Sequence, residues 1–163
     1  MAVWKERPIE IANLFNPAFC AVVLRESVRR YVTVSKNPMP YPLMFLILPI
    51  ILHQKTRSSL PRNTNTKLHS WLHDNPAARV EFAERAERLI PYTKEAIIFG
   101  LQREILILDE QGNVNYVKRK LRTLNWQSGT EPDECVKKAA ILGCWFAESG
   151  DTETIYALWG VSP

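Results

Sequence analysis

The stretch LMFLILPIIL at 43–52 constrains the fold more than any other part of the chain. A run this apolar has no face that favours water, so it must be surrounded. It is too short to cross a bilayer, which needs about 20 apolar residues, and Pro49 interrupts it. The run reads as a helix from about Pro42 to His53, buried on all sides and kinked or cut short by Pro49. The chain has 163 residues. A chain of that size buries about 70% of its unfolded surface and can enclose such a rod without disulfides or metal. One domain spanning 1–163 is expected.

The rest of the chain supplies the wrapping. Asn16-Pro17 has the residues of a helix start. Cys20, Leu24, Val28 and Tyr31 then recur at helical spacing. Arg25, Glu26, Arg29 and Arg30 are expected on the outer face, with Glu26 paired to Arg30. KNPMPYP breaks the chain into an extended connection. QKTRSSLPRNTNT reads as a polar loop, with Thr64 or Thr66 capping a short helix KLHSWLHD. Asn75-Pro76 opens PAARVEFAERAERLI, burying Val80, Phe82, Ala83, Ala86 and Leu89. Pro91 ends that helix, and YTKEAIIFGLQREI forms the next. ILILDEQGNVNYVK reads as a β-hairpin about the turn 109–113. Two further helices follow, one capped by Thr130 and closed by Gly150, the other capped by Asp151 or Thr152. The fold expected is mainly α: a compact helical domain with one β-hairpin. The order helix, helix, hairpin over 76–118 is winged-helix-like.

Chemistry is sparse in this pattern. The six glycines are scattered singly and form no phosphate cradle. His69 and His73 share a helix face without a recognisable third ligand, so no metal is expected. Cys144 lacks an assignable histidine partner and sits in an apolar helix, where thiols are usually inert. No catalytic residue, metal or cofactor is expected, and the chain does not read as an enzyme. Three cysteines without CxxC spacing argue for a reducing, cytoplasmic home. MAVWKERPIE lacks the apolar core of a secretion leader.

The net charge of +4 is modest, so clustering matters more than the total. One basic, hydroxyl-rich cluster holds Lys55, Arg57, Arg62, Thr64 and Lys67. A second, directly after the hairpin, holds Lys118, Arg119, Lys120 and Arg122 and suits a phosphate backbone. Trp159 and Val161 beside the C-terminus could anchor a partner or cover their own core. These eleven residues are the candidate partner- or DNA-binding set. Arg57→Ala with Arg62→Ala is expected to leave folding intact. A free-standing winged-helix DNA-binding regulator is the alternative reading. It is weakened by the scarcity of base-reading side chains on the second helix.

NPAFCAVVL, YPLMFLILPIILHQKTRSSLPRNTNTKLHSWL, IPYTKEAIIFGLQREIL and CWFAESGDTETIYALWGVSP together resemble the middle components of bacterial three-component ABC systems, including Lamassu-type anti-phage operons. The resemblance runs from about Trp4 to Pro163. It implies a non-catalytic accessory subunit that bridges an SMC/Rad50-like ABC ATPase and an effector, often a nuclease, in a cytoplasmic complex sensing phage or plasmid DNA. It allows a sequence-independent contact with a DNA backbone and implies no membrane role.

Overall fold

The computed structural model describes residues 15–121 and 126–163. Among these, helix α1 spans Pro17–Ser35, and Asn16 accepts from the Ala18 and Phe19 amides, 2.9 and 3.4 Å away, with Pro17 in the first turn. After the proline-rich break, Met39 bridges to Val114 and a 3-10 turn covers Tyr41–Leu43. Helix α2, Met44–Ile51, is the apolar rod. Leu46, Ile47, Leu48, Ile50 and Ile51 are entirely buried. Pro49 lies inside α2, and the helix ends two residues later, with Leu52 donating to the Leu48 carbonyl.

Two departures from the sequence reading follow. The expected polar loop contains a helix, α3, at Gln54–Ser59, capped by His53. The short helix α4 is present at Leu68–Asp74, yet neither threonine caps it: Lys67 holds that position, and its side chain makes no capping bond.

A 3-10 turn at Pro76–Arg79 leads to Glu81 in the left-handed region (φ 55°), and helix α5 then runs unbroken over Phe82–Gln102. Pro91 does not end it. A mid-helix proline removes one hydrogen bond at a cost of about 3 kcal/mol. Pro91 sits on the exposed side, while Leu89, Thr93, Ala96 and Ile97 keep a continuous buried stripe past it. Tertiary packing of that stripe on α1 and α2 outweighs the lost bond. Val80, expected inside, precedes the helix and is 63% exposed. The two helices from which the winged-helix order was read are thus one.

The hairpin pairs β1 (Leu106–Leu108) antiparallel with β2 (Val114–Tyr116), Leu108 opposite Val114. Its loop is 109–113, as expected, and Asp109 accepts from the Gln111 and Asn113 amides while Gly112 supplies φ 81°. Helix α6, Glu131–Glu148, opens after Thr130 and closes on Gly150 (φ 98°). It packs along α1. Gly143 makes that approach close, because a Cβ there would lie 2.2 Å from the Ser27 carbonyl oxygen. Helix α7, Thr152–Trp159, is capped by Asp151 and ends on Gly160 in the left-handed region. The architecture is mainly α with a single two-stranded hairpin among the described residues. No helix among them is long and apolar enough to cross a membrane.

Candidate partner-binding surfaces

The first basic cluster divides, with Arg57 built into the core and the other members at or near the surface. Arg57 is 2% exposed. Its Nη1 donates to the Ile51 carbonyl at 2.9 Å, Nη2 to Glu131 at 2.6 Å and Nε to Glu134 at 3.1 Å. Burial pulls the guanidinium pKa down, but the Cys135 neighbourhood and the two carboxylates outweigh it and hold it above its ordinary value. Further along, Lys138 donates to the Leu60 and Pro61 carbonyls, Trp145 Nε1 to the Thr66 carbonyl at 2.8 Å, and Lys67 pairs with Glu148 at 2.6 Å. Residues 131, 134, 138, 145 and 148 fall on one face of α6 at helical spacing. The segment 57–67 therefore runs as a strap along that face, fastened from its first turn to its last.

The strap resolves the cluster residue by residue. Arg57 is consumed in the core, correcting the view that it lies on a surface loop. Its removal is therefore expected to be felt in stability. Lys67 is exposed and ion-paired, Thr64 is half-buried, and Lys55 and Arg62 face solvent. Burial lowers the pKa of Lys138, whose ammonium satisfies two carbonyls where the strap turns at Pro61.

The C-terminal pair also divides. Trp159 is 1% exposed. It packs on Phe82 at 4.6 Å and Trp71 at 6.2 Å between ring centroids, so it covers its own core. Val161 lines a groove of about 730 Å³. The groove's walls are Tyr41, Pro42 and Phe45 on one side and Ala83, Ala86 and Ile90 of α5 on the other. Tyr156 Oη donates to the Pro42 carbonyl at 2.6 Å and locks α7 to the first wall. Ala83, Ala86, Glu87, Ile90 and Lys94 recur at the 3–4 spacing that a packed helix reads. That stripe lies beside, not within, the buried face of α5. Sequence reasoning assigned Ala83 and Ala86 to the core and overlooked the groove, because both edges of an amphipathic stripe look alike in one dimension.

The second cluster is exposed at Lys118, Arg119 and Lys120, while Arg122 lies outside the described residues. Arg25 of α1, expected on the outer face, is 8% exposed and reaches across to it. Its Nη2 donates to both the Val117 and Arg119 carbonyls at 2.9 Å, and its guanidinium lies 5.5 Å over the Tyr116 ring. Glu26 pairs with Arg29 at 2.6 Å, one residue nearer than the expected Arg30.

Cys20, Cys135 and Cys144 are all free and buried. Burial pushes the Cys20 thiol up to about 12 and the Cys135 thiol up to about 11. His69 and His73 are exposed, and no group of three or more His, Cys, Asp or Glu among the described residues is arranged to hold a metal.

The family described as "ABC-three component (ABC-3C) system Middle Component 3" has a sequence model that matches residues 4–163. No curated protein and no solved structure matches the chain.

Proposed function

The chain belongs to the ABC-3C system Middle Component 3 family, and from that premise we propose that it is a non-catalytic adaptor. It joins an SMC/Rad50-like ABC ATPase to a nuclease-like effector in a Lamassu-type cytoplasmic defence complex directed at phage or plasmid DNA. The observation that carries this reading is the groove. Ala83, Ala86 and Ile90 leave an apolar helical stripe beside Tyr41, Phe45 and Val161, flanked by one acid, Glu87, and one base, Lys94. The occupant that fits is an amphipathic helix with small and branched apolar residues at its seam and a base and an acid at its flanks. A coiled-coil ATPase offers such a helix. Trp159 packed on Phe82 of α5 and Tyr156 bonded to the Pro42 carbonyl tie α7 to both walls before binding, which reduces the ordering cost of association. Protonated, buried thiols at Cys20 and Cys135 support a role without nucleophilic chemistry.

The test is co-expression with the two neighbouring subunits, followed by pull-down on a tag on this chain. Wild type retains both partners. Ile90→Arg, at a position already 36% exposed, keeps its helical circular dichroism and loses the ATPase. Retention of neither partner by wild type would sink the adaptor reading. Full ATPase retention by Ile90→Arg would remove the groove from it.

A further inference from the structure

The groove does not use the ridge at 117–121, and that ridge is built in an unusual way. The Arg119 amide donates to the Val117 carbonyl at 2.8 Å, closing a three-residue turn with Lys118 at its tip. Both carbonyls of that turn also point inward onto Arg25. A cation is thus buried beneath the turn, and its Nε has no partner among the described residues. Burying a guanidinium with an unmet donor is costly. Arg119 Nη2 reaches back to the Arg103 carbonyl at the end of α5, fixing the turn from a second side. Lys118, Arg119 and Lys120 remain exposed, and none forms an ion pair among the described residues. Of the nearby acids, Glu26 is engaged by Arg29, and Glu104 follows Arg103 at a left-handed bend.

From this construction we infer that the 117–120 turn is a preorganised site for the phosphodiester backbone of duplex DNA, read without regard to sequence. Arg25 acts as its positioning residue. A protein partner would need an apolar anchor, and residues 117–121 present no exposed large hydrophobic side chain. Phosphates need only cations held at fixed positions. Base reading would need donors and acceptors on an exposed helix face. At the end of α5 beside the ridge Ile98 is apolar and 54% exposed and the Arg103 guanidinium lies over the Phe99 ring, which leaves Gln102 as an isolated exposed reader rather than a reading face.

Fluorescence anisotropy of the full chain with a labelled, mixed-sequence DNA duplex tests this, at several salt concentrations. Two unrelated sequences should bind equally. The slope of log affinity against log salt should fall by about 2 in Lys118→Gln/Lys120→Gln, since each phosphate contact contributes about 0.9. Affinity at low salt should drop at least about tenfold. Both positions are exposed, so the variant should fold as wild type does. Arg25→Lys, if folded, should weaken binding while leaving the slope nearer to wild type. An unchanged slope in the double variant overturns the inference. So does binding of polyglutamate with no binding of DNA, which would assign the ridge to an acidic protein. The readout is independent of the pull-down, so a wild-type chain that binds no DNA yet retains both partners removes the ridge and leaves the adaptor standing.

Discussion

Replacing Arg57 by alanine should unfold the protein at a markedly lower temperature, although the sequence places this residue in a polar, exposed stretch. The wild-type guanidinium is 2% exposed and makes three hydrogen bonds, two of them to carboxylates. Charge-assisted bonds contribute about 1.5–3 kcal/mol each. Glu131 and Glu134 are 61% and 38% exposed, so both can recover water when their partner is gone. That recovery returns most of the electrostatic loss. What remains is the Ile51 carbonyl at the C-terminal end of α2, left without its donor, and the void where the guanidinium stood. An unsatisfied buried carbonyl costs about 1–3 kcal/mol, and the truncated packing adds to it. A total of about 3 kcal/mol follows, at the lower end of the 3–5 kcal/mol range for breaking a fully buried pair. For a chain of this size that corresponds to a fall in Tm of roughly 6–12 °C. Thermal denaturation by circular dichroism and urea titration measure it. Arg62→Ala, at an exposed position, should stay within about 0.5 kcal/mol of wild type and serves as the control. Arg57→Ala matching Arg62→Ala would refute the strap as a source of stability.

Gly143→Ala should destabilise by about 1–3 kcal/mol or more, measured by urea titration, because the new Cβ meets the backbone of α1 at Ser27 and cannot be accommodated by a side-chain shift. His53 caps α3 by accepting from the Thr56 amide through Nδ1, which requires a neutral ring. Burial, with Arg85 beside it, lowers its pKa below the ordinary 6.5. The unfolded chain therefore binds this proton more readily, so stability should decline as pH falls below about 6.5 and level off below the lowered folded value. His53→Asn should flatten that part of the pH profile of Tm. All three thiols are buried, so a thiol-reactive disulfide reagent should titrate none of them rapidly in the native state and all three in urea. Rapid native labelling would contradict the packing described for α1 and α6.

Local chemistry was legible wherever one stretch of chain settles its own conformation. The Asn16-Pro17 start, the loop 109–113, the Asp151 cap and the burial of 43–52, apart from the half-buried Phe45 and Leu52, depend on neighbours in sequence and are found in the structure. Pro91 and Arg57 were not legible, since their outcomes depend on partners far along the chain. Whether a proline ends a helix depends on how much apolar surface lies beyond it and on what that surface can pack against. Whether an arginine faces solvent depends on two carboxylates 74 and 77 residues away. The candidate surfaces divide in the same way. The basic ridge could be seen from charge alone, whereas its anchoring by Arg25 across 92 residues could not. The groove between Tyr41, Ile90 and Val161 exists only once three distant segments have met. The sequence by itself therefore determined what had to be buried and where the chain had to turn, because hydration and backbone sterics act locally. Only the tertiary structure decided which cations were consumed within the fold and which remained free to meet a partner, because the strength of an ion pair depends on distance and solvent exposure that no spacing along the chain encodes.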